Sequence, residues 1–186
     1  MSSRPKLTIA LLMLACGKHE EPCTPAKAPP PATRTSLGDL PVETHTLMLA
    51  HTPGGTYTYT YAAPVGWHER IVDDASFTFA QYDHRERDDQ STFSISANPA
   101  LTCEIAFGGF RDATWQILRE GPANGRCSIA ARTAPDGPGI PETQAVVYWV
   151  TGRVGHTCIA HLQGKTQAAW ASFLAICSHV VGVGSP

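Results

Sequence analysis

The residue types best suited to chemistry here are histidines, a thiol and carboxylates in a few short stretches. His156-Thr157-Cys158-Ile159-Ala160-His161 brings two imidazoles and a thiol close together, and zinc takes N and S ligands of this kind in a tetrahedron. On a strand, however, His156 and Cys158 point to one face and His161 to the other. No second close Cys/His pair completes the set, so no metal is expected. His68, Glu69, Asp73 and Asp74 supply acid and base groups beside a presumed turn. Two adjacent aspartates on an extended chain face opposite sides, which does not make the positioned dyad that glycoside hydrolysis needs. Phe107-Gly108-Gly109-Phe110 is a lone glycine pair, better suited to a bend than to an anion cradle. The chain holds no Gly-x-Ser-x-Gly elbow, phosphate loop or His-Glu-x-x-His helix. No catalytic residue is assigned, and no cofactor is expected.

Cysteines stand at 16, 23, 103, 127, 158 and 177. The last four lie within the presumed domain, and an even set in an exported chain points to disulfides. Of the three pairings, Cys158 with Cys177 is favoured, because it would staple the last strand to the inner face of a closing helix. Cys103 then pairs with Cys127. Cys23 is left as an odd thiol.

The targeting signals are at the start of the chain. Arg4 and Lys6 precede an apolar run over residues 7–14, and Ala15-Cys16-Gly17 follows. A positive start, a short apolar stretch and a small residue at the cut describe a secretory signal. The run is too short for a permanent span, which takes about 20 residues. Met13-Leu14-Ala15-Cys16 resembles the bacterial lipobox, with Met13 departing from the usual Leu. The resemblance implies a signal peptide over residues 1–15 and a lipidated Cys16, palmitate included. Two or more acyl chains hold a protein on a bilayer where one does not, each buried CH₂ contributing about 0.8 kcal/mol. Gly17 in place of Asp resembles cargo passed to an outer membrane, facing the periplasm or the cell surface. Residues 16–40 then read as a tether, since Pro22, Pro25 and Pro29-Pro30-Pro31 lie in a polar stretch without apolar period.

The elements that must position these groups lie in a single domain over residues 41–186. In Tyr57-Thr58-Tyr59-Thr60-Tyr61 the aromatics fall on one face and the threonines on the other, the period of a strand. Residues 44–51 pair with it through Pro53-Gly54-Gly55, and Trp67 plugs one end of the core. Residues 76–82 and 92–97 alternate as a hairpin, with a charged, exposed loop between them. Residues 112–120 read as a helix capped by Asp112 and stopped at Gly121-Pro122, and residues 121–141 as a long irregular loop. Residues 146–150 and 157–162 form another hairpin. A closing helix over 166–181 carries Trp170, Phe173, Leu174, Cys177 and Val181 as a stripe, capped by Thr166. The expected class is α+β, an antiparallel β-sheet flanked by helices.

A strand ending in Tyr61-Ala62-Ala63-Pro64-Val65-Gly66-Trp67, then hairpins and a closing amphipathic helix, resembles the PsbP-like domains. That resemblance implies an α/β/α sandwich acting as a binding or assembly module. No functional residue transfers with it.

The formal net charge is −2 and no basic stripe interrupts the chain, which gives nucleic acid no electrostatic footprint. These observations lead us to expect a membrane-anchored envelope lipoprotein, a non-catalytic module with an envelope protein as partner. Two alternatives stand beside it. One is a secreted hydrolase gathering His68, Asp73 or His156 in a cleft. The other is a small-molecule carrier with an aromatic-lined pocket, for which Trp115 and Trp149 are the residues to check.

Overall fold

The computed structural model describes residues 34–37, 39–73, 78–83, 90–135 and 140–185. The stretch expected to be a signal peptide, Cys16, Cys23, most of the expected tether, Asp74 and the charged stretch over residues 84–89 lie outside the described residues. In chain order the elements are β1 (Arg34–Leu37), β2 (Leu40–Thr52), β3 (Gly55–Pro64), β4 (His68–Asp73), β5 (Thr78–Asp83) and β6 (Thr92–Pro99). There follow α1 (Cys103–Ala106), a 3-10 turn at Gly108–Phe110, β7 (Trp115–Ala123), β8 (Arg126–Thr133), β9 (Glu142–Thr151) and β10 (Val154–Gln163). A 3-10 helix (Gly164–Ala169), α2 (Trp170–Ser178) and β11 (Val181–Ser185) close the chain.

All strand pairs are antiparallel and fall into two sheets, one ordered β1-β2-β3-β11 and the other β4-β5-β6-β10-β9-β8-β7. The sheets face each other across one core. Tyr57, Tyr59 and Tyr61 enter it from β3, where the intervening Thr58 and Thr60 stay exposed. Phe93, Ile95 and Ala97 of β6 and Cys158, Ala160 and Leu162 of β10 meet them from the larger sheet. The Tyr61 and Phe93 rings lie 5.9 Å apart.

A four-stranded sheet leaves three of seven facing strands uncovered, a width of roughly 14 Å at normal strand spacing. A helix about 10 Å across fills most of such a gap. Accordingly α2 packs on the inner face of β8, β9 and β10, burying Phe173, Leu174, Ile176 and Cys177. Trp67 closes this layer, its ring 5.3 Å from that of Phe173. On the opposite face of the larger sheet, Phe107 covers Ile129, Val146 and Tyr148 in a smaller apolar cluster. Disulfides tie each helix to the larger sheet: Cys103 of α1 to Cys127 of β8, and Cys158 of β10 to Cys177 of α2. Their Cα separations are 6.1 and 5.4 Å, within the range that a disulfide spans.

The structure corrects several expectations from the sequence. The fold is mainly β, built of antiparallel sheets as expected, but among the described residues these are not clearly flanked by helices. Residues 115–123 form strand β7 where a helix was expected. The supposed loop after Gly121 contains β8, and the β7–β8 hairpin turns at Asn124-Gly125 with φ of 52° and 74°. Both residues in the left-handed region mark the tight hairpin turn that Asn-Gly favours. The closing helix is shorter than 166–181: it begins at Trp170, Thr166 lies in the preceding 3-10 helix, and Val181 belongs to β11. Gly182 and Gly184 of β11 explain this last change. They pair with Tyr59 and Tyr57, and a Cβ at Gly182 would sit 2.9 Å from the Tyr59 ring. Backbone packing on aromatic faces holds the tail as a strand. β1 likewise lies within the stretch read as tether, because its pairing with β2 uses backbone groups and needs no apolar pattern.

Candidate functional site

His156 is fully buried on the inner face of β10. Strand register places it opposite Trp149 of β9 and Ala97 of β6. The Tyr59 hydroxyl reaches across from the other sheet and shares a hydrogen bond of 2.7 Å with Nδ1. Tyr57 meets the imidazole edge-on at 4.8 Å, and Trp149 stacks on it at 5.1 Å. Nε2 has no hydrogen-bond partner among the described residues. Burial, and then the positive charge of Arg126, push the imidazole from its ordinary 6.5 down to about 4. Burial also raises the Tyr59 phenol above its usual range, with Tyr57 adding to the effect. Both groups are therefore neutral at pH 7, which suits a dry core.

Arg126 completes the row. Its guanidinium lies 4.1 Å from the centre of the Trp149 ring, a cation–π distance. Nη1 also donates to the Cys177 carbonyl at 3.5 Å, and Asn124 Nδ2 donates to the Ser178 carbonyl at 3.1 Å. A cation and an amide thus cap the last turn of α2, where free carbonyls carry partial negative charge. The row from Arg126 to Tyr59 locks helix and sheets together.

The other groups singled out from the sequence do not join it. Cys158 is consumed by its disulfide with Cys177, so the His-Cys-His stretch has no free thiolate. His161 sits on the outer face of β10, 3.9 Å from Glu142; burial lowers its pKa and Glu142 opposes that shift. His68 and Glu69 are exposed on β4, an edge strand. Asp73 ends that strand. Register aligns His68 with Asp83, Thr92 and His161 rather than with His156. The groups of the hydrolase reading are therefore scattered over two faces and three strand spacings. Trp115 packs against Phe110 at 5.2 Å, and Trp149 is held between Arg126 and His156. Neither aromatic lines a cleft described below. Among the described residues no group of three His, Cys, Asp or Glu side chains could hold a metal ion.

Two clefts open at the ends of the larger sheet. The first, of about 410 Å³, lies between α1 and the β7–β8 hairpin, beside the Cys103–Cys127 disulfide. Phe107 and Pro122 form its apolar wall. Arg111 and Glu120 meet there in a two-point ion pair, Nη1 donating to Oε2 at 2.8 Å. The second, of about 500 Å³, lies where the 3-10 helix runs into α2. Leu118, Thr143 and Trp170 line it together with Arg132, Lys165 and Gln167. Reading residues 121–141 as loop hid this site. Once β8 is a strand, the alternation Ser128, Ala130, Arg132 assigns Arg132 to the inner face. The sequence places Trp170 both in the apolar stripe of the closing helix and among the aromatics able to line a pocket, and in the fold it is half-buried at this cleft. No protein family, no curated protein and no solved structure matches this chain.

Proposed function

We propose that the protein is an envelope lipoprotein whose stapled β-sandwich binds another component of the envelope without transforming it. The observation that carries this reading is the state of the cysteines: all four within the sandwich lie in disulfides, each joining a helix to the larger sheet. Such crosslinks persist in oxidising compartments outside the cytoplasm, the destination that the lipobox-like Met13-Leu14-Ala15-Cys16 implies. The scattering of His68, Asp73 and His156 argues against a hydrolase, since acid–base catalysis needs its groups within hydrogen-bond reach of one reacting centre.

The test is intact and peptide mass spectrometry of the protein from its native membrane, without reduction. The expected result is a first residue Cys16 carrying acyl chains, with Cys103, Cys127, Cys158 and Cys177 oxidised. An unmodified Cys16 with free domain thiols would overturn the reading.

A further inference from the structure

We infer that the cleft beside the start of α2 binds a small organic anion, a carboxylate or phosphate joined to an apolar or aromatic group. The inference deepens the binding-module reading and rests on it only in taking the domain to bind rather than to react. Its argument begins with strand register. Arg132 pairs with Gln116 of β7 and Thr143 of β9, on the same face as the core residue Ala130. On that face Leu118 and Trp170 pack against the edge of the core, so they form a fixed apolar wall. Lys165 and Gln167 come from the 3-10 helix and border the same cleft.

The charge is one-sided. Arg132 and Lys165 are the cations of this lining, and no acid contributes to it. Among the described residues neither pairs with a carboxylate. Arg132 Nε donates to Gln116 Oε1 at 2.8 Å, which orients the guanidinium and leaves donors over. Neither the 3-10 helix nor α2 has an acid in its first turn. The first cleft differs here, because its Arg111 is already satisfied by Glu120. A guanidinium and an ammonium without counter-charge, beside the Thr143 hydroxyl and an indole, fit an anionic head with an apolar tail.

The experiment follows the Trp170 indole N–H by NMR in the full chain, its resonance identified by its loss in Trp170→Phe. Benzoate and phenyl phosphate are the anionic probes, with benzyl alcohol and inorganic phosphate as controls. A saturable shift with either aromatic anion is expected, and the tighter of the two tells carboxylate from phosphate ligands. Each control should bind at least tenfold more weakly. Arg132→Gln combined with Lys165→Gln, both exposed positions, should weaken binding at least tenfold, roughly 1.4 kcal/mol. An unchanged affinity in that variant, no saturable shift, or a control binding as tightly as its aromatic anion would overturn the inference. Failure here leaves the Cys16 result untouched, whereas release of phenol from phenyl phosphate would instead overturn the binding-module reading.

Discussion

Acidification should unfold this protein partly through one side chain, and the effect can be isolated. His156 is fully buried and takes its proton only near pH 4, whereas in the unfolded chain it takes one near 6.5. Between these values the unfolded state binds more protons, so stability is complete above the unfolded value and falls as the pH drops towards the folded one. The gap between the two values corresponds to about 3 kcal/mol. The imidazole is enclosed by Tyr57, Tyr59 and Trp149, so solvent offers little screening. The assay is urea unfolding followed by tryptophan fluorescence at pH 7 and pH 4.5, for the wild type and for His156→Gln. Glutamine can still meet the Tyr59 hydroxyl but does not titrate. The wild type should lose about 2 kcal/mol more than the variant across that interval. His161, also held low by burial, shifts both proteins equally and cancels in the difference. Equal losses in the two proteins would refute the reasoning, as would an imidazole that titrates near 6.5 by NMR while the chain stays folded.

Three further outcomes follow from the packing. Replacing Cys158 and Cys177 together by alanine opens a loop of sequence separation 19 and should cost about 3 kcal/mol, seen as a lower urea midpoint. Tyr148→Phe removes a hydroxyl that donates to the Leu101 carbonyl at 2.9 Å and accepts from its N–H at 2.6 Å. Losing both bonds should destabilise the fold by about 1–3 kcal/mol, measurable in the same unfolding experiment. Gly125→Ala places a side chain at φ 74° and should cost about 1 kcal/mol, lowering the melting temperature by a few degrees.

Strand content was legible where its signal is local. The alternation of Tyr57, Thr58, Tyr59, Thr60 and Tyr61 needs only a two-residue period to declare a buried face, and β3 displays that face. The same holds for Phe93 and Ile95 on β6. The Asn124-Gly125 turn of the β7–β8 hairpin went unread, because Asp112 and Gly121-Pro122 mimic helix boundaries and the Gly- and Pro-rich stretch that follows reads as loop. The candidate cleft could not be read from the sequence, because its side chains come from β7, β8, β9 and the approach to α2. No single segment carries its pattern.

By itself, then, the sequence determined the alternating antiparallel strands and the presence of enough domain cysteines for two disulfides, since periodicity and parity are properties of the chain alone. Tertiary structure decided the rest. It divided the strands into sheets of four and seven, so that α2 had to fill the uncovered width. It packed Tyr57 and Tyr59 against Gly182 and Gly184, which turned the expected end of a helix into a strand. It also sealed His156 among aromatic rings. A histidine's chemistry depends on the water and charge around it, and those are set by residues distant in the chain.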